Sequence, residues 1–171
     1  MGEEWAFTVL YRDMHPRLLR YLRTVEPAEA EDLASDTWMG VATGLDRFEG
    51  GEDDFRRWLF TIARRRHLDL ARRRRRRRTD PVPTSDLAGV GSRGDVEMEA
   101  MANLTADAAT SRIAAVLPPD QAEVLLLRVL GDLSVKQVAA VVGKRPGAVR
   151  ALQHRALSRL SRELSPEPVT H

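Results

Sequence analysis

Basic side chains are the residues whose type and spacing point most directly to chemistry, and they fall in two blocks. Residues 64–78 hold ten arginines, seven of them consecutive from Arg72 to Arg78, against the single acid Asp69. Residues 133–162 hold seven basic side chains and no acid. Cationic groups free of neighbouring carboxylates neutralise phosphates, and arginine can also grip a guanine edge through two parallel hydrogen bonds. Much of the remaining chain is acidic, with net charges of −6 over residues 1–63 and −5 over 79–111. The overall +2 for 171 residues therefore conceals two positive blocks separated by an acidic spacer. That is the pattern of one chain touching a polyanion, most simply nucleic acid, in two places.

Catalytic chemistry finds less support. There is no cysteine, so disulfides, thiolate metal sites and cysteine nucleophiles are excluded. The four histidines (His15, His67, His154 and His171) are far apart and form no His-x-x-x-His pair. Glu29, Glu31, Asp32 and Asp36 form an acidic group with three readings: a metal or acid–base site, plain solubility near a helix start, or a docking surface for a basic partner. No cofactor, metal or enzymatic activity is expected. No window of about 18 apolar residues exists to insert into a membrane. The start, Met-Gly-Glu-Glu-Trp, is acidic where an export signal would be basic, so a cytoplasmic location is expected.

The elements that carry these residues read as helices throughout. Trp5, Val9, Leu10, Met14, Leu18, Leu19 and Leu22 recur at three- and four-residue spacing, with Pro16 expected to kink or divide their helix. Pro27 opens a second helix with an apolar stripe of Leu33, Trp38, Val41, Ala42 and Leu45. After Gly50-Gly51, Asp53 or Asp54 is placed to cap a third, with Phe55, Trp58, Leu59, Ile62 and Ala63 inward, running into the arginine block. Residues 79–103, rich in Pro and Gly, read as a flexible linker. Beyond it, a short helix over Asp107–Leu117 should end at Pro118-Pro119, and Asp120 should cap Gln121–Leu130, with Gly131 as the stop. The expected architecture is all-α: two small helical domains, residues 1–78 and 104–164, joined by that linker and followed by a tail at 165–171.

The most specific local pattern lies in the last third. Ser134-Val135-Lys136-Gln137 is a capping-box sequence, Gly143 suits a left-handed turn, and Pro146 suits the first turn of a final helix. Ala139, Gly143 and Val149 have the types and spacing of a helix-turn-helix, with Val138, Val142 and Leu152 completing its packing. An ordinary helical hairpin would have the same small residues, but the absence of acids favours DNA. Opposite the apolar face of the last helix lie Arg150, His154 and Arg155, preceded by Lys144 and Arg145. Arg150 and His154 are about 40° apart around the axis, whereas Arg150 and Arg155 are about 140° apart. The first two therefore suit base reading and Arg155 suits phosphate.

The chain resembles a bacterial RNA polymerase sigma factor of the extracytoplasmic-function (ECF) group, in four blocks. Tyr11-Arg12-Asp13-Met14-His15-Pro16-Arg17-Leu18-Leu19 is similar to the start of sigma domain 2, and Glu31-Asp32-Leu33-Ala34-Ser35-Asp36-Thr37-Trp38 to its polymerase-docking helix. Residues 55–65 with His67-Leu68-Asp69 resemble the helix that melts and reads the −10 element. Leu117-Pro118-Pro119-Asp120-Gln121-Ala122-Glu123-Val124 and then residues 133–160 resemble sigma domain 4, the −35 reader.

The resemblance implies a promoter-specificity subunit whose partners are core RNA polymerase (its β and β′ subunits) and promoter DNA, with an anti-sigma factor left open. It implies docking through Asp32, Leu33 and Asp36. It implies −10 contacts from Asp46, Arg47 and Phe48 in the loop before the third helix, and from Trp58, Arg64, Arg65, His67, Arg72 and Arg73. Lys136, Lys144, Arg145, Arg150, His154 and Arg155 become the −35 contacts, and the acidic linker would thread the polymerase RNA channel. Lys144-Arg145 and Ala151-Leu152-Gln153 depart from the residues frequent in the family, which leaves the −35 preference open. A helix-turn-helix regulator acting without polymerase is the alternative, and a metal-dependent nuclease using Asp32 and Asp36 a distant third.

Overall fold

The computed structural model describes residues 2–79 and 97–165, and among these residues it is helical with no strand. Seven α-helices form: α1 (Gly2–Val25), α2 (Ala30–Gly44), α3 (Glu52–Thr79), α4 (Glu97–Val116), α5 (Pro119–Val129), α6 (Val135–Val142) and α7 (Pro146–Leu164). Short 3-10 turns at Pro27–Glu29 and Leu45–Arg47 precede and follow α2.

The first three helices pack as a bundle around Met14, Leu18, Tyr21 and Leu22 of α1, Leu33, Ala34, Trp38 and Val41 of α2, and Phe55, Leu59, Phe60 and Ala63 of α3. Pro16 does not divide α1. Pro16 and Arg12 both lie on the exposed face, so the Arg12 carbonyl that the proline leaves without its helical donor is open to water. Trp5 and Val9 were expected in the core and are exposed, at 72% and 47%, because the first turns of α1 overhang the bundle. On α2 the buried stripe is Ala30, Leu33, Ala34, Thr37, Trp38 and Val41, while Ala42 and Leu45 are exposed. Thr37 can be buried because its hydroxyl donates to the Leu33 carbonyl at 2.6 Å.

Neither Asp53 nor Asp54 is the cap residue of α3. The helix starts at Glu52, and Asp54, inside its first turn, accepts from the Gly51 amide at 3.1 Å. Gly50 has φ +143°, a conformation that L side chains rarely adopt. Likewise Asp120 lies inside α5, which begins at Pro119, and accepts from the Gln121 amide at 2.8 Å. Helix α4 begins ten residues before the expected Asp107: residues 97–103 are helical, built from Glu, Met and Ala up to Asn103 and without Gly or Pro. The rest of the 79–103 linker beyond Thr79, and the tail beyond Ser165, lie outside the described residues.

Helix α5 is buried nearly all round, at Ala122, Val124, Leu125, Leu126 and Leu127. One side, with Ala122 and Leu125, meets Leu117 and Ala156 in a small cluster of the second half. The other, with Val124, Leu126 and Leu127, joins a single core that continues through Tyr21 and Phe60 into the first bundle. The two halves are therefore in direct contact, with α6 against α3 and α4 and α5 against α1.

Candidate nucleic-acid interface

The helix-turn-helix is assembled by local chemistry. Ser134 accepts from the Gln137 amide at 3.1 Å, and the Gln137 side chain accepts from the Ser134 amide at 2.9 Å, so the box closes at the start of α6. Gly143 ends α6 in the left-handed region at φ +69°, and Pro146 starts α7. Val138, Ala139 and Val142 of α6 are buried, as are Val149, Leu152 and Ala156 of α7. That seating turns Arg150, His154 and Arg155 outward, and all three are exposed, as are Lys136, Lys144 and Arg145. Gln153 is held from behind: Arg128 Nε donates to its Oε1 at 3.0 Å, and the same arginine donates to the Leu133 carbonyl. Arg155 lines a separate groove with Gln121, His154, Ser158, Arg159 and Arg162. Arg155, Arg159 and Arg162 repeat at helical spacing and make that groove cationic.

The loop before α3 is equally well anchored. Phe48 stacks on Trp58 at 4.9 Å with 17° between the ring planes and meets Phe55 edge-on at 5.8 Å. Trp58 is half-buried, and a Cβ at Gly44 would lie 2.8 Å from its Cζ2, so the glycine leaves room for the indole. Asp46 and Arg47 are exposed beside this aromatic pair.

The predicted −10 residues of α3 do not share one face. Arg65 and Arg72 lie on nearly one line with Trp58 along the helix, and Arg65, Arg72 and Arg73 are exposed. Arg64 and His67 instead face α5, in a cleft also lined by Glu123, Leu126 and Lys144. Arg64 Nε pairs with Glu123 Oε1 at 2.7 Å. His67 Nδ1 is buried without a hydrogen-bond partner, 4.0 Å from Glu26 Oε2. The arginine tract is ordered helix as far as Thr79 and is anchored by Arg74, which bonds Glu26 at 2.8 Å and Glu29 at 3.5 Å.

On α2, Asp32 and Asp36 are exposed on the outer face. Leu33, predicted with them as a docking residue, is only 4% exposed and belongs to the core. Met39, which the sequence reading did not single out, is 67% exposed on the same face, about one turn beyond Asp36. Its signal was an apolar side chain off the buried stripe. Beneath this face Trp38 Nε1 donates to His15 Nδ1 at 3.1 Å, and His15 stacks on Tyr11 at 5.0 Å. Burial, then the nearby Arg23 charge, lower the His15 pKa, against a smaller opposing pull from Glu31. A neutral imidazole is what accepting from Trp38 requires. Among the described residues no group of three or more His, Asp or Glu side chains is placed to hold a metal ion. None of the described helices is long and apolar enough to cross a membrane.

Comparison with known proteins places this geometry. The family model for Sigma-70 region 2 matches residues 10–77, and that for Sigma-70, region 4 matches residues 109–160. The chain is 35% identical over 167 residues to the ECF RNA polymerase sigma factor ShbA of Streptomyces griseus, covering 93% of this chain and 87% of that protein. It is 33% identical to the ECF RNA polymerase sigma factor SigD of Mycobacterium tuberculosis, covering 95% of this chain and 79% of that one. The chain belongs to the ECF RNA polymerase sigma factors. Its region 2 is the α1–α3 bundle, and its region 4 holds the helix-turn-helix. A solved sigma factor, RpoE of Bartonella quintana in complex with the anti-sigma factor NepR, shares the fold at a TM-score of 0.68 and 24% identity, covering 95% of this chain and 99% of that one.

Proposed function

We propose that this sigma factor docks on core RNA polymerase through the outer face of α2 and then holds promoter DNA at two places. Asp32 and Asp36 supply the charge of the docking face, and Met39 supplies an apolar contact. At the −10 element, Asp46, Arg47 and the Phe48–Trp58 pair form the platform for an extruded base. Arg65, Arg72 and Arg73 then run along the duplex phosphates, with Arg64 and His67 joining them from the adjacent face. Capturing an unstacked base offsets the few kcal/mol of unpairing, so melting is driven by binding energy and needs no catalytic group. At the −35 element, Arg150 and His154 read base edges, and Lys136, Lys144, Arg145 and Arg155 hold phosphates. The working units are residues 1–78 and 104–164, acting in the cytoplasm, where the transcribing polymerase is.

The observation that carries this reading is α7, buried through Val149, Leu152 and Ala156 and cationic on its free side through Arg150, His154 and Arg155. Run-off transcription with core polymerase on a randomised promoter library tests it. The expected result is chain-dependent transcripts sharing −35 and −10 sequences. DNA binding with no polymerase-dependent transcript would instead make the chain a free-standing regulator.

A further inference from the structure

A cleft of about 450 Å³ opens where the end of α1 converges with α3, α4 and α5. That volume lies in the range of small-ligand sites, about 300–1,000 Å³. Its walls are largely apolar: Val25, Leu68, Leu117, Ala122 and Leu126 line it, and the last three are buried. Polar groups stand among them, and they are unequally satisfied. The carboxylates are engaged within the chain. Glu123 Oε1 accepts from Arg64 Nε at 2.7 Å and from the Tyr21 hydroxyl at 3.2 Å. Asp120 accepts from the Gln121 amide at 2.8 Å.

Two nitrogen groups of the cleft are left over. His67 Nδ1 is buried without a hydrogen-bond partner, and the Glu26 oxygen 4.0 Å away is beyond bonding range. Lys144 lines the cleft, is exposed, and is in no ion pair among the described residues. Buried polar atoms are nearly always paired, so an orphan nitrogen on a residue that lines a roomy cleft calls for a partner from outside the chain. The ammonium only donates, and the imidazole donates from Nδ1 whenever that nitrogen carries a proton. The first turn of α5, at Pro119 and Asp120, also borders the cleft and adds the partial positive charge of a helix N-terminus. What the cleft lacks is an acceptor, and a neutral apolar ligand would leave both donors unmet.

We propose that this cleft binds a small organic anion, with an apolar or aromatic body against Leu117, Ala122 and Leu126 and one carboxylate- or sulfonate-like group met by Lys144 and His67. The binding site rests on the geometry alone. Its consequence rests on the sigma reading: Lys144 and His67 are both assigned to promoter contacts, so the bound anion competes with DNA phosphate for them. Promoter binding by this chain is then sensitive to a small molecule. Losing one charge-assisted hydrogen bond weakens such binding by about tenfold or more.

Two fluorescent probes with the same aromatic body test this in the full chain: anilinonaphthalene sulfonate, an anion, and N-phenylnaphthylamine, which lacks the sulfonate. The anion should bind the folded chain at one saturable site, at least about tenfold more tightly than the neutral probe. Lys144→Gln should weaken the anion about tenfold and leave the neutral probe unchanged. Ala114→Trp, at an exposed position on the cleft wall, should abolish both while melting like wild type. Equal affinity for the two probes, or an unchanged anion affinity in Lys144→Gln, overturns the anion assignment. Unchanged binding in the folded Ala114→Trp chain overturns the cleft. A promoter duplex should displace the bound anion. One-site binding that DNA does not displace refutes the competition and the DNA roles of Lys144 and His67, while leaving the cleft site in place.

Discussion

Leu33 and the acids beside it make opposite predictions, and together they locate the docking face. Leu33 is 4% exposed and packs between α1 and α3, so Leu33→Ala removes apolar volume from the core without touching the surface. Core leucine truncations cost about 2–5 kcal/mol. For a chain of this length each kcal/mol lowers Tm by about 2–4 °C. The expected fall is therefore roughly 4–20 °C, with polymerase binding retained wherever the chain remains folded. Asp32→Arg with Asp36→Arg should behave the other way. Both side chains are exposed and neither is in an ion pair among the described residues, so unfolding should shift by no more than about 0.5 kcal/mol. Reversed charge in a complementary interface costs several kcal/mol of affinity, a loss of more than a hundredfold. Thermal melts by circular dichroism, paired with polymerase binding at a temperature where all variants are folded, measure both axes. A Leu33→Ala chain that melts like wild type but no longer binds would refute the burial argument. A fully active charge-reversed chain would refute the docking face.

Three further outcomes are expected. The depressed His15 pKa means the unfolded chain binds a proton more readily than the folded one, so stability is fully present above about pH 6.5 and falls as pH drops below it. Urea midpoints between pH 7.5 and 5 should show this decline, and His15→Gln should flatten it. Gly44→Ala would push a methyl to 2.8 Å from the Trp58 ring; overpacking of about 1–3 kcal/mol should appear with impaired promoter opening and intact polymerase binding, read by permanganate footprinting. Arg150→Ala should cost about 1–3 kcal/mol and relax one or two −35 positions, whereas Arg155→Ala should weaken all promoters alike and make the salt dependence shallower. Selection of −35 variants with each protein separates them, and the reverse pattern would exchange their roles.

What the sequence made legible is what short-range chemistry decides. The capping box at Ser134, the left-handed Gly143 and the proline start of α7 each depend on residues within one turn, and all three are present as read. The contact between the halves was not legible, because Arg64 and Glu123 are 59 positions apart and neither is unusual alone. Traces of it were there. Val124-Leu125-Leu126-Leu127 is apolar on every side, which a helix needs only when it is buried on two faces. Phe60 follows the inward Leu59 and so points toward a second surface. Gly131 read as a helix stop, yet the positive φ belongs to Asp132 at +50°. Gly131 is needed for space: a Cβ there would meet the Leu127 carbonyl at 2.7 Å and Leu133 at 3.0 Å, as well as Phe60.

The same distinction explains why the predicted −10 set split. Spacing placed Arg64, Arg65, His67, Arg72 and Arg73 on one helix, but it could not say which edge of that helix faces solvent. Residues 64 and 67 are about 60° apart around the axis and flank the side that meets α5, while 65 and 72 lie about 20° apart on the next strip. A charge map of the linear chain treats all of them as one cationic block. Folded, the block has two edges with different partners: Arg65 and Arg72 are exposed, and Arg64 holds Glu123. The acids of region 4 follow the same division. Asp107, Glu123 and Asp132 each reach an arginine of region 2, and no acid occurs from 133 to 162, the stretch proposed to read DNA. Over residues 107–162 charge is therefore sorted by contact, with three of the four carboxylates against region 2 arginines and cations alone on the stretch proposed for DNA.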